Sequence, residues 1–207
     1  MQSLGNRPSM AGALQWLVRE GKADTFVESG TGKGDDILWA GRIFPCAYTI
    51  EIDPVTFKSF YFRRFFRFQR GKIKNADLPI TEVLGDSRTV LPETVLPKIS
   101  GRKPVFWLDA HSVSIPYGSP VLEELSLLRE WGQPCVILID DYALFSLQPK
   151  DKKEQMGWPY VLEIFQALTG LSVSTCDDII VAVHPSICTA RELIYANFPH
   201  RMEVSDI

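Results

Sequence analysis

The chain has 207 residues, a formal net charge of −3 and a hydrophobic fraction of 45%. These values are typical of a globular protein, and the length favours a single domain over residues 1–207. No apolar run reaches the roughly 20 residues that span a bilayer, and residues 1–10 lack the basic and apolar blocks of a signal peptide, so we expect a cytoplasmic protein. The four cysteines show no C-x-x-C spacing, so neither a disulfide framework nor a zinc site is indicated.

Apolar runs alternate with helical patterns along the chain, which predicts an α/β fold on a mostly parallel sheet. A first helix is predicted over residues 8–20. The runs predicted as buried strands are 26–29, 47–52, 80–84, 105–109 and 135–140. The helices predicted between them lie near 35–41, 54–69, 87–98 and 119–131.

The last part of the chain changes its pattern. YVLEIFQALTG predicts a helix, and LSVSTCDDIIVAVHP predicts an antiparallel hairpin at the sheet edge that turns at residues 176–178. The polar segment 146–158 is predicted to be a mobile loop. Within this single domain we therefore distinguish two halves, residues 24–100 and residues 101–207.

The first strand runs into a glycine-rich turn, which reads ESGTGKG over residues 28–34. A dinucleotide fingerprint would need a third glycine at Asp35, and a P-loop would need Ser or Thr after Lys33, so neither motif fits. A carboxylate at the turn suits a ligand that carries an ammonium or sulfonium charge, while helix amides beyond it can accept a carboxylate. An amino acid zwitterion fits both. The alternative is that the glycines only shape a tight strand-to-helix connection.

Further acids follow the next two strands. Glu51 ends the second strand, where such folds often place an acid that accepts hydrogen bonds from both ribose hydroxyls. Asp86 and Ser87 come just after the third strand, where they could recognise an adenine amino group. All three lie at carboxyl ends of predicted strands, the edge at which open α/β sheets bind ligands.

With these motifs in this order, residues 24–184 resemble the class I S-adenosylmethionine-dependent methyltransferases. The resemblance rests on ESGTGKG, IEID and GDS and on the closing hairpin. It implies a Rossmann-like doubly wound sheet, mostly parallel, with S-adenosylmethionine as cofactor. The residues that it assigns to cofactor binding are Glu28, Ser29, Gly30, Gly32, Gly34, Glu51, Asp86, Ser87 and Asp109.

Three aspartates, Asp109, Asp140 and Asp141, follow two strongly apolar runs. Clustered carboxylates repel one another unless a cation neutralises them, and oxygen ligands select Mg²⁺, Ca²⁺ or Mn²⁺. LDAH paired with IDDY resembles the metal-dependent O-methyltransferases of the macrocin and catechol type, which implies that these aspartates are metal ligands. In the sugar-modifying enzymes an acid proposed as general base stands where this chain has His111.

Each of these assignments has an alternative. Asp140 and Asp141 can instead cap the following helix or loop, and Asp109 can contact the cofactor alone. His111 can lie in a surface turn; as a neutral imidazole it is also a competent base near pH 7. Catalysis is assigned to His111 with Asp109.

The segment 57–74 interleaves aromatic and basic residues. Its helical spacing predicts one buried face with arginines outside; that face comprises Phe57, Phe60, Tyr61, Phe65 and Phe68, extended by Phe62 and Phe66. The same composition suits phosphate binding and base stacking.

The resemblance implies metal-assisted methylation of a hydroxyl on a small molecule such as a sugar. Two alternatives stay open: a nucleic-acid methyltransferase that uses the segment 57–74, and a protein that binds the cofactor without catalysis. A homo-oligomer that completes the substrate site is a further expectation, because the chain leaves little sequence for a substrate cap.

Overall fold

The computed structural model describes residues 4–69, 78–110, 119–147 and 157–196, without the side chains of residues 63–69. Seven strands form one sheet. They are β1 Thr25–Ser29, β2 Cys46–Glu51, β3 Ile80–Leu84, β4 Pro104–Leu108, β5 Val136–Ile139, β6 Ser172–Cys176 and β7 Ile179–Val183.

Helices connect these strands. They are α1 Pro8–Arg19, α2 Asp35–Ala40, α3 Pro54–Gln69, α4 Ser87–Val90, α5 Val121–Trp131, α6 Tyr142–Ser146, α7 Trp158–Ala167 and α8 Ala190–Tyr195. A 3-10 turn, Leu4–Asn6, precedes α1, and a π-helical turn, Leu91–Val95, continues α4. None of the helices in the described part is long and apolar enough to cross a bilayer. Of the predicted mobile loop, residues 148–156 lie outside the described residues.

The strand order is β3-β2-β1-β4-β5-β7-β6. The pairs among β1 to β5 are parallel, and β7 pairs antiparallel with both β5 and β6. This order confirms the predicted doubly wound sheet with its antiparallel carboxyl-terminal hairpin. Because the chain leaves β1 towards β2 on one side and β4 lies on the other, the order reverses beside β1, and a crevice opens at that point.

The central strands of the sheet are buried on both faces, which explains why they read as continuous apolar runs. Phe26, Trp107 and Leu138 face one core with α1, α2 and α8, while their strand neighbours face a second core with α5 and α7. Side chains alternate between faces along a strand, so the residues just beyond the strand ends are divided between the two faces as well.

The predicted aromatic face of α3 is wrong for two of its residues. Phe60 is fully buried, but Tyr61 and Phe62 are 59% and 57% exposed. Successive helical residues point about 100° apart, so burial of Phe60 turns the next two side chains away from the sheet. Phe57 is half-buried, and Phe65, Phe66 and Phe68 lie outside the described side chains.

Candidate functional site

A cleft that is partly open to solvent lies at the carboxyl ends of β1, β2 and β3. It brings together four of the residues predicted to bind the cofactor: Gly30, Glu51, Asp86 and Ser87. Ala110 lines it from the segment after β4. The cleft therefore occupies the crevice where the strand order reverses, as the sequence motifs predict.

The glycine turn brings two strand ends into close contact. Gly30 has a φ of +87°, and a Cβ built on it would lie 2.5 Å from the Asp109 carbonyl oxygen and 2.8 Å from Ala110 Cα. Gly34, also at positive φ, begins α2, and a Cβ there would collide with the Phe60 ring. Nothing lies within 4 Å of a Cβ built on Gly32. Of these three glycines, Gly30 is the one whose backbone closely approaches another backbone, that of Asp109 and Ala110.

Glu51 connects the turn to the cleft. Its Oε2 accepts a hydrogen bond from the Gly32 N–H at 3.1 Å, and its Oε1 accepts one from the Asp53 N–H at 3.0 Å. A carboxylate offers about four acceptor positions, so each oxygen keeps one for a ligand hydroxyl. Glu51 is thus held in place by backbone donors and remains able to accept from a ribose.

Asp86 and Ser87 form the opposite wall. Asp86 Oδ1 accepts from the Arg88 N–H at 3.0 Å and so caps α4, while the Arg88 guanidinium bonds both carboxylate oxygens at 2.6–3.1 Å. These bonds from Arg88 lower the pKa of Asp86. Ser87 is buried at the first position of α4. Asp86 is therefore an oriented carboxylate, an acceptor suited to an amino group.

Glu28 and Ser29 are buried at the end of β1 and are not among the residues that line the cleft. The buried Glu28 accepts a hydrogen bond from Thr49 Oγ1 at 2.5 Å, and Thr49 also pairs with Thr31 at 2.7 Å. Burial raises the pKa of Glu28 well above its ordinary value, which favours the neutral carboxyl. Ser29 Oγ is buried without a hydrogen-bond partner among the described residues. Glu28 supports the turn from below.

The predicted aspartates lie next to an arginine that the sequence did not indicate. Arg7 Nη1 lies 2.5 Å from Asp140 Oδ1, and the two residues are only 6% and 1% exposed. The Asp141 N–H donates to the same oxygen at 2.8 Å. Within the described residues, Asp140 Oδ2 is buried without a hydrogen-bond partner. Asp140 is therefore held by an ion pair on one oxygen only.

Asp36, at the start of α2, and Asp109 complete an acidic cluster with Asp140. Burial, reinforced by Asp140, Asp141 and Asp36, raises the pKa of Asp109 to about 8. Burial also raises the pKa of Asp36 to about 6, although the Leu4 N–H donates to that carboxylate. Burial raises the pKa of Asp140 against the opposing effect of Arg7.

The three predicted metal ligands, Asp109, Asp140 and Asp141, lie within the described residues. In the part of the chain that the structure covers, no group of three or more His, Cys, Asp or Glu side chains is arranged to hold an ion. One Asp140 oxygen already binds the guanidinium of Arg7. The assignment of Asp109, Asp140 and Asp141 as ligands stays a prediction, and His111 lies outside the described residues.

No family model matches the chain, and no curated protein matches it. Among solved structures it is similar to the O-methyltransferase TomG of tomaymycin synthesis from Streptomyces achromogenes, in complex with S-adenosylmethionine. The identity is 19%, the match covers 84% of this chain and 79% of that one, and the TM-score is 0.57.

Two further solved structures show how widely the fold is shared. An O-methyltransferase from Bacillus cereus, in complex with S-adenosylhomocysteine, matches at 17% identity, covers 85% and 81% of the two chains and has a TM-score of 0.54. An rRNA methylase from Streptococcus thermophilus is 12% identical to this chain. The match covers 89% of this chain and 98% of that one, with a TM-score of 0.52. The chain therefore has the class I methyltransferase fold, as predicted, and the fold alone does not select an acceptor.

Proposed function

We propose that this chain is an S-adenosylmethionine-dependent methyltransferase that methylates a hydroxyl of a small molecule. The observation that carries the proposal is the cleft, in which Gly30, Glu51 and Asp86 converge from three strand ends. A tight glycine turn, an acceptor for ribose hydroxyls and an acceptor for an amino group are the three features that the cofactor requires there.

The residues of the cleft fit the cofactor in chemistry as well as in position. Glu51 would accept from the ribose hydroxyls, and Asp86 would accept from the adenine amino group. The buried Ser29 Oγ, which has no hydrogen-bond partner in the described part, is a donor and acceptor close behind the turn. When bound, S-adenosylmethionine supplies a methyl group on a sulfonium; transfer breaks the S–C bond, leaves its electrons on sulfur and forms an O–C bond.

The acceptor hydroxyl must lose its proton during transfer. We assign this step to His111, which follows the cleft residue Ala110 directly in the chain. Asp109 shares the segment, and its pKa of about 8 makes it a strong base in its ionised form. His111 would hold this proton on its imidazole, and Asp109 would orient the ring.

Metal assistance is a separate part of this proposal. For Asp109, Asp140 and Asp141 to share a divalent ion, Asp140 would have to bind it through Oδ2 or release Arg7 from Oδ1. Arg7 already supplies a positive charge beside Asp140.

A second candidate is a nucleic-acid methyltransferase. Tyr61 and Phe62 are exposed side by side on α3, with ring centroids 6.0 Å apart, in a basic segment. Exposed aromatic rings beside basic residues suit base stacking. This candidate predicts binding to RNA or DNA that weakens steeply with salt.

The first experiment is calorimetric titration with S-adenosylmethionine and S-adenosylhomocysteine, each with Mg²⁺ and with a chelator, and with NAD as control. We expect micromolar binding of both sulfur compounds under either condition and none of NAD. Absence of binding to both would remove the proposal. Transfer from radiolabelled cofactor to hydroxylated small molecules or to RNA then separates the two acceptor classes, and binding without transfer to either would indicate a non-catalytic protein.

A further inference from the structure

Arg7 lies deep in the molecule for an arginine. It is 6% exposed, and its guanidinium carbon lies 5.6 Å from the centre of the Trp107 ring. Removing a guanidinium from water is costly unless a charge partner and hydrogen bonds compensate. Its partner is Asp140, which lies 133 positions away in sequence. The fold therefore brings the start of the chain to the end of β5.

The segment that carries Arg7 is attached to the acidic cluster at two points. The Leu4 N–H donates to Asp36 Oδ1, and Arg7 Nη1 donates to Asp140 Oδ1. The Arg7 N–H donates to the Leu4 carbonyl at 3.0 Å, which closes the short turn between the two contacts. The guanidinium is thus positioned by the fold.

The charge of Arg7 acts on the whole cluster. Its guanidinium binds Asp140 directly and interacts electrostatically with Asp36 and Asp109 as well. A divalent cation would have the same effect on these carboxylates. A cation that bound Asp140 through both oxygens would also need Oδ1, which Arg7 and the Asp141 N–H already occupy.

We propose that Arg7 takes the place of a divalent cation at this cluster, holds Asp140 in position and makes the site independent of metal. The unpartnered Oδ2 of Asp140, buried in the described structure, is the acceptor that such a held carboxylate keeps available. Arg7 acts here as a positioning residue, through Asp140. Cation binding needs neither cofactor nor methyl acceptor, so this role and the proposed activity can fail separately.

The test is calorimetric titration with MnCl₂ alone near neutral pH, on the wild type and on Arg7→Gln, Arg7→Lys and Arg7→Gln/Asp140→Asn. Gln removes the charge but keeps an amide donor, and Lys keeps the charge. We expect Arg7→Gln to gain one Mn²⁺ per chain, at least about tenfold tighter than the wild type. The Lys variant should behave as the wild type, and the double variant should lose the gain.

Two results would overturn the proposal. One is a folded Arg7→Gln variant that binds no Mn²⁺, which would give Arg7 a purely structural role. The other is a wild type that binds one Mn²⁺ per chain and loses it in Asp140→Asn, since the cluster would then take a metal ion despite the presence of Arg7. If Arg7→Gln fails to fold, this wild-type comparison decides alone: binding that depends on Asp140 overturns the proposal, and its absence supports it.

Discussion

The carbonyl oxygen of Asp109 occupies the space that a side chain at Gly30 would need, 2.5 Å from the Cβ position. β1 and β4 pair in parallel, with Ser29 opposite Leu108, so the contact lies one residue beyond the last pair. The two strand ends meet here because residue 30 has no side chain and adopts a φ of +87°. The glycine motif therefore shapes the cleft through its contact with β4.

We expect Gly30→Ala to destabilise the fold and to weaken cofactor binding by at least about tenfold, because the methyl group forces the strand ends apart. Gly170→Ala is the matched control. Its φ is +92°, and nothing lies within 4 Å of an added Cβ, so it has the backbone strain without the collision. Urea unfolding and calorimetry with S-adenosylhomocysteine measure both effects. Equal affinities for the two variants would show that the turn does not hold the cofactor.

Glu51→Gln replaces a carboxylate with an amide that offers one oxygen for the N–H groups of Gly32 and Asp53. Hydrogen bonds to a charged group contribute about 1.5–3 kcal/mol, so we expect about 10- to 100-fold weaker binding of S-adenosylhomocysteine. An analogue without the ribose hydroxyls should bind wild type and Glu51→Gln alike. Glu163→Gln, an exposed substitution on α7, is the control. If Glu51→Gln prefers S-adenosylhomocysteine over the analogue by the same factor as the wild type does, Glu51 does not bind the ribose hydroxyls.

The strands could be predicted within two residues at every boundary among β1 to β5, because buried parallel strands read as short apolar runs. The cleft followed from the same pattern, since Glu51 and Asp86 come directly after such runs. α6 was missed because its five residues are too few to show a helical period. The strands and the cleft residues could be predicted because each depends on sequence that is local to its element.

The pairings across the fold could not be predicted. Arg7 has no distinguishing neighbour in the sequence, and only the folded sheet brings it to Asp140. The burial of Glu28 beneath Thr49 is likewise a tertiary feature. Arg88 had a local signal: it stands two positions after Asp86, the cap of α4.

Glu28 predicts a pH dependence of stability. Burial raises its pKa well above the ordinary 4.5, so the folded protein holds this proton more tightly than the unfolded chain does. The resulting stabilisation is fully present below about pH 4.5 and is lost as the pH rises through the folded-state pKa. Glu28→Gln is neutral at every pH and keeps an oxygen for Thr49.

We therefore expect the free energy of unfolding of Glu28→Gln, relative to the wild type, to increase as the pH rises from about 4.5. Urea unfolding across the acidic and neutral range measures it. Glu163→Gln, on the surface of α7, should show no such trend. A constant difference between Glu28→Gln and wild type would mean that folding leaves the protonation of Glu28 unchanged.

Phe60 and Phe62 lie two residues apart on α3 and predict opposite outcomes. Phe60 is fully buried and its ring contacts the Cβ position of Gly34, where the glycine turn enters α2. Phe60→Ala should cost about 3–5 kcal/mol of unfolding free energy, because it leaves a cavity behind the turn. Phe60→Leu, which keeps more of the volume, should cost less and still weaken cofactor binding.

Phe62 is 57% exposed, so Phe62→Ala should change the free energy of unfolding by no more than about 0.5 kcal/mol and leave cofactor binding unchanged. Unfolding at several protein concentrations tests whether this side chain is covered in solution. A loss above about 1 kcal/mol that grows with protein concentration would show that a second copy packs on α3. In that case the exposed aromatic residues would belong to an oligomer interface, and they would no longer support nucleic-acid binding.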